Sequence, residues 1–217
     1  MLIKVIDWLV LIKRTVRLNA RWMTWNLCLA FVPLVLSIWL FRISGSRSLL
    51  WWIGLLVFVA FLPNAPYVLT DIIHLIRDIR RESSIWTITL ILIPQYSLFM
   101  LAGFEAYVLS LINLGHYLNQ QGQRRLIIFA EFLLHTLSAI GIYLGRFLRF
   151  NSWDFVTQPD AILDSTVEGL LAKWPLLVIA ITFVVIVGLY WIMKEMTLAT
   201  LLRRRYTKAL STDMAKG

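Results

Sequence analysis

The sequence predicts an all-α fold, a polytopic membrane helix bundle of about five spans with short interfacial helices, and three observations carry that expectation. Of 217 residues, 59% are hydrophobic and only 15% charged, too little polar surface to cover a soluble globule. The stretches 22–41, 48–70, 83–104, 126–145 and 174–193 hold one charged residue between them, Glu131. Each is near the ~20 residues a helix needs to cross ~30 Å of hydrocarbon. Tryptophans mark the ends: Trp22 and Trp39 bracket the first stretch, Trp174 and Trp191 the last, and Trp51, Trp52 and Trp86 stand where spans begin. This is the aromatic belt of a bilayer protein.

Residues 1–21 are read as an interfacial amphipathic segment. Lys4 and Asp7 interrupt the apolar run and no small-residue cleavage site follows, so a secretory signal is not expected. Val5, Trp8, Leu9, Ile12 and Val16 fall on one side of a helix, as in a segment lying on a membrane. Residues 22–193 form the transmembrane bundle, and 194–217 a basic tail. The third span is expected to run past Glu105 towards His116, because 106–123 also lacks charge. The net charge of +9 comes from clusters flanking the spans, such as Lys13, Arg14, Arg17 and Arg21 before the first and Arg203, Arg204, Arg205 and Lys208 after the last. The expected partners are therefore the lipid bilayer and its anionic headgroups, not nucleic acid. Cys28, the only cysteine, lies within a span and is expected to pack as a small apolar residue. Basic residues divide almost evenly between the two sides that five spans define, so orientation rests on the first helix, which favours a cytoplasmic amino terminus. With two basic termini, five spans imply either a re-entrant segment or a translocated terminus. No internal repeat or long linker divides the chain.

Two segments stand out. In Phe61-Leu62-Pro63-Asn64-Ala65-Pro66-Tyr67-Val68-Leu69-Thr70-Asp71-Ile72-Ile73-His74-Leu75, the prolines remove backbone donors and should kink or stop the second span between Leu62 and Tyr67. Carbonyls freed at membrane depth need partners, and Asn64 and Tyr67 are candidates. Asp71, His74, Asp78 and Arg81 then follow at helical spacing on one face. Asp71 with His74 can share a proton or a divalent metal; alternatively, Asp71 starts a short helix capped by Thr70. The second segment, Gly141-Ile142-Tyr143-Leu144-Gly145-Arg146-Phe147-Leu148-Arg149-Phe150-Asn151-Ser152-Trp153-Asp154, ends the fourth span on the same side, so Arg146 and Arg149 are expected to join Asp71 and His74 in one pocket. Arg146 and Arg149 would hold a phosphate or snorkel to headgroups. Asn151 and Asp154 would bind substrate or form a helix cap and its partner. Gly141 and Gly145 leave room for close helix approach.

These two stretches closely resemble the paired signatures of the bacterial membrane-protein family called domain of unknown function 1361. The resemblance covers about half of the chain, leaving out the first 40 residues and the tail after Met193. It implies a multi-span protein of a bacterial inner membrane and no particular activity.

A third polar group lies deeper. With the turn of the span three–four hairpin centred near Gln120, Glu105 and His135 are expected at matching depth, with Glu131 one helical turn from His135. An acid within a span is costly and should face the bundle interior, so Glu105, Glu131 and His135 are expected to face inward together. Asp71, His74, Glu105, Glu131 and His135 are thus the catalytic candidates, and Asn64, Tyr67, Arg146, Arg149, Asn151 and Asp154 the substrate-binding ones. Three function classes follow: an interfacial enzyme or binder for a lipid-linked or phosphate-bearing substrate, a small ion-coupled transporter, and a non-catalytic membrane subunit. Transport would ask for pseudo-symmetric halves, which one copy lacks and a homo-oligomer would supply.

Overall fold

In a computed structural model, which describes residues 2–82, 84–147 and 173–214, those residues are almost all helical and form no sheet. Five helical stretches are long and apolar enough to cross a membrane: Asn19–Ile43, Leu49–Arg81, Ile85–Gln120, Leu126–Phe147 and Trp174–Arg204. Spans two, three and five extend by two helical turns or more beyond the stretches read from the sequence. Helix α1, Leu2–Ile38, joins the amphipathic amino-terminal segment to the first span without a break, and α8, Lys173–Met214, likewise carries the fifth span into the basic tail.

Span one ends in a π-helical turn, Trp39–Ile43. Such a turn shifts the backbone bonding register, and the indole nitrogen of Trp51 donates to the Leu40 carbonyl at 3.0 Å. Helix α2, Leu49–Phe61, starts at Ser48, whose hydroxyl accepts from the Trp51 amide. Gly54 lets α2 lie against Trp39, whose ring would be 2.5 Å from an added Cβ.

The second span breaks where the prolines fall. After α2 come the single turn α3, Asn64–Tyr67, a 3₁₀ turn, Val68–Asp71, and α4, Ile72–Arg81. The Ala65 amide bonds to Leu62 rather than to Phe61, and the orphaned Phe61 carbonyl accepts from the Asn64 side chain at 3.0 Å. The Tyr67 carbonyl, at the head of the 3₁₀ turn, accepts from the Thr70 hydroxyl at 2.7 Å. Polar side chains within the break therefore satisfy its own backbone, as an apolar solvent demands.

Two glycines clamp this broken segment. A Cβ on Gly103 would lie 2.7 Å from Val68, and one on Gly141 2.7 Å from Pro63. Span three, which is α5, Ile85–Thr87, a π turn and α6, Ile93–Gln120, and span four, α7, Leu126–Phe147, thus approach the break from two sides. Phe58, Leu62, Val68, Phe104, Tyr107 and Val108 fill the core between them, each with 1% exposure or less. Helix α1 packs chiefly on α6, and α8 on α7. The turn between α6 and α7 is closed by Gly122 at φ 73°, with Gln123 bonded to Leu118 and Gly122 to Asn119, a Schellman closure. It lies a little beyond the expected centre at Gln120. Cys28 is exposed on α1 rather than packed inside, because Met23 and Ala30 define the buried face.

Candidate functional site

The break in span two carries Tyr67, Thr70 and Asp71 to the end of the bundle where span four finishes with Arg146. Asp71 is buried, 1% exposed. Its Oδ1 accepts from Arg146 Nη2 at 2.6 Å, and its Oδ2 from the Asn26 amide of α1 at 3.1 Å. Three spans thus meet at one carboxylate. Arg146 also donates from Nε and Nη2 to Thr70 Oγ1, at 3.0 and 2.5 Å, and its guanidinium lies 4.8 Å above the Tyr67 ring. A desolvated guanidinium is well matched to such a carboxylate, hydroxyl and aromatic face. Asp71 makes no side-chain cap at the start of α4, because the arginine and asparagine take its oxygens.

His74 lies one turn on, partly exposed, with Nε2 3.6 Å from Asp71 Oδ1. Arg77 meets its Nδ1, and Nε2 is the ring nitrogen that faces Asp71. The Trp22 ring stands 5.0 Å from the imidazole and forms one wall. Further along the same helix, towards its end, Asp78 accepts from Asn19 at 2.9 Å and from the Tyr96 hydroxyl at 2.8 Å. Arg77, Arg80 and Arg81 are exposed on α4 around this end, giving an acid–imidazole pair a strongly basic rim.

Of the residues singled out in the sequence, Asp71, His74, Tyr67 and Arg146 therefore come together, with Asn64 at the break beside them. Arg149, Asn151 and Asp154 lie outside the described residues. As a cation site the group is poorly matched: Asp71 and His74 are two donors, Arg146 occupies the carboxylate, and no cluster of three His, Cys, Asp or Glu exists among the described residues. A divalent ion would sit against two guanidinium groups.

The deeper residues form a separate group. Glu131, 8% exposed, accepts from the Tyr190 hydroxyl at 2.7 Å and from Lys194 at 2.6 Å. His135, 2% exposed, shares a 2.7 Å hydrogen bond with the Tyr107 hydroxyl and packs against the Tyr190 ring at 4.6 Å. Glu105 does not join them. It is half-buried and accepts from Thr197 at 2.7 Å. Tyr107 follows Glu105 by two residues, which is about 200° around a helix, so the partner of His135 and the acid face different neighbours.

Sequence reasoning missed Asn26, Tyr107, Tyr190 and Lys194. A signal existed for two pairs: Asn19 and Asn26 are seven apart and share a face of α1, and Tyr190 and Lys194 are four apart where span five becomes polar. Nothing in the local pattern marks Tyr107 as more than an aromatic core residue.

A family model described as protein of unknown function (DUF1361) matches residues 25–187. The match is wider than the motif-bearing half, since it begins at Trp25 and takes in most of the first span and part of the fifth. No curated protein and no solved structure is significantly similar to the chain. With five membrane-spanning helices and a family match over well over half its length, this integral, multi-pass membrane protein belongs to the DUF1361 family.

Proposed function

We propose that the protein binds a lipid-linked, phosphate-bearing substrate at the membrane face where spans two and four end, and that Asp71 and His74 form its proton-transfer pair. One observation carries this reading: a fully buried carboxylate, fixed by Arg146 and Asn26, lies 3.6 Å from a partly exposed imidazole whose other nitrogen is held by Arg77. Burying an acid costs free energy that packing alone does not require, and an acid that orients a histidine is a recurrent acid–base arrangement. Exposed Arg77, Arg80 and Arg81 supply charge for a phosphate head. Arg146 acts here by holding Asp71 and Thr70, so the exposed arginines of α4 are the better phosphate ligands. Anionic headgroups are the chemistry this rim would meet first.

The transport reading has less support. Between Arg146 and Ser138 on α7, Ile142, Tyr143 and Leu144 are buried, and eight residues of helix span about 12 Å, so a largely apolar layer separates the two polar groups. A non-catalytic role would keep the Asp71–Arg146 tie and leave His74 dispensable. The test is a comparison of lipid extracts, by mass spectrometry, from cells lacking the protein and complemented with wild type, His74→Ala or Arg77→Gln. The proposal expects a phosphate-bearing lipid species to change on deletion, to be restored by wild type, and to remain changed with His74→Ala. Full restoration by a stably expressed His74→Ala variant would overturn the catalytic part.

A further inference from the structure

Three side chains on one face of α1 meet three on span two in reverse order. Asn26 bonds to Asp71 at 3.1 Å, the Trp22 ring lies 5.0 Å from the His74 ring, and Asn19 bonds to Asp78 at 2.9 Å. Spacings of three and four residues keep each set on one helical face. The outer two contacts are hydrogen bonds that fix a carboxylate. The middle one sets an indole against His74, whose side chain is 31% exposed.

The indole is itself held. Its Nε1 donates to Asn19 Oδ1 at 3.2 Å, Asn19 Nδ2 donates to Asp78 Oδ2 at 2.9 Å, and the same oxygen accepts from the Tyr96 hydroxyl at 2.8 Å. Tyr96 is 0% exposed, and Phe99 stands edge-on to Trp22 at 5.5 Å. A chain of contacts therefore runs from the core side of α6 through α4 and α1 to the imidazole. Asp78 sets the Asn19 amide: an ionised carboxylate only accepts, so the NH₂ group faces it and the amide oxygen is left for the indole.

We infer that Trp22 is a positioning residue for His74, held by Asn19, Asp78 and Tyr96, and that it keeps the imidazole turned towards Asp71. The inference rests on the reading of Asp71 and His74 as the proton-transfer pair. The distance it governs is the 3.6 Å between His74 Nε2 and Asp71 Oδ1. That is longer than a hydrogen bond of about 2.7–3.2 Å, so a small ring rotation closes the pair or opens it. A partly exposed side chain has other staggered rotamers to visit. With Trp22 beside the ring and Arg77 at Nδ1, leaving the present one means displacing an indole that Asn19, Tyr96 and Phe99 hold.

The test is the rate at which diethyl pyrocarbonate modifies each histidine of the whole protein in detergent, read by mass spectrometry. At about pH 8, above the ordinary imidazole value, access rather than charge sets that rate. His74 is expected to react roughly fivefold faster in Trp22→Leu and in Asn19→Leu, the scale of one hydrogen-bonded contact, with His116 and His135 unchanged. The double variant should be no faster than Trp22→Leu alone, since Asn19 acts on His74 through Trp22. Trp22→Phe keeps the packing and loses Nε1, so it should fall between wild type and Trp22→Leu, and it keeps the test decisive where a leucine variant does not fold. An unchanged His74 rate in folded Trp22→Phe and Asn19→Leu would overturn the positioning role. So would an equal rise at all three histidines, which reports general loosening, or additive effects in the double variant. No substrate enters this measurement, so its failure leaves the acid–base reading standing, and failure of the lipid-extract comparison leaves the placement of the ring standing.

Discussion

Asp71, on the broken second span, and Arg146, at the end of the fourth, meet at 2.6 Å with the carboxylate 1% exposed. Removing one member of such a pair strands a buried charge, at a typical cost of 3–5 kcal/mol. We expect Asp71→Ala and Arg146→Ala each to destabilise the detergent-solubilised protein by about 3 kcal/mol, with the double variant far less destabilised than the sum. A double-mutant cycle on melting curves checks this, and additive losses would mean that the pair is not coupled.

The clamp around the break gives a steric prediction. Alanine at Gly141 would place its Cβ 2.7 Å from Pro63 Cγ and 2.8 Å from Pro63 Cβ, and a rigid pyrrolidine ring cannot rotate away. Overpacking of this kind costs about 1–3 kcal/mol. Gly141→Ala should lower the melting temperature, and adding Pro63→Ala should recover part of the loss; Gly188, with no neighbour near its Cβ position, should accept alanine without steric penalty.

Why the two ends of the bundle differ in legibility follows from these same residues. Pro63 and Pro66 act through local backbone chemistry, so the break and the rescue of its carbonyl by Asn64 can be read from one segment. Arg146 and Asp71 could be placed together because spans two and four must leave on one side. The partner of His135 could not be read this way. Hairpin depth puts Glu105 and Tyr107 within one turn of each other, but choosing between them requires the rotation of α6, which packing against α1 and α8 fixes. Likewise Lys194 reads as the first residue of a basic tail, and only the docking of α8 on α7 turns it towards Glu131.

Tyr67 offers a test of what holds Arg146 in place. The guanidinium lies 4.8 Å from the ring centroid, so Tyr67→Phe keeps the aromatic face and should be nearly neutral. Tyr67→Leu removes it, at about 1 kcal/mol or somewhat more for a partly desolvated cation–π contact. Equal melting temperatures for the two variants would show that the ring contributes volume only.

Glu105 and Glu131 should differ in how far they tolerate loss of charge. Glu105 accepts a single bond from Thr197, which an amide oxygen can also accept, so Glu105→Gln should change stability by less than about 1 kcal/mol, the scale of one hydrogen bond. Glu131 accepts from a lysine and from a tyrosine that is itself 0% exposed. Glu131→Gln would remove the counter-charge of Lys194, and Glu131→Ala would also leave the Tyr190 hydroxyl without its acceptor, a loss of about 3 kcal/mol by the range for breaking a largely buried pair. Lys194 is 23% exposed and its long stem can carry the ammonium towards the headgroups, so Lys194→Met should cost less than Glu131→Ala, because a carboxylate at position 131 would retain Tyr190. Melting curves of the three variants in one detergent decide the matter, and Glu131→Ala behaving like Glu105→Gln would remove the ion pair from the forces that dock α8.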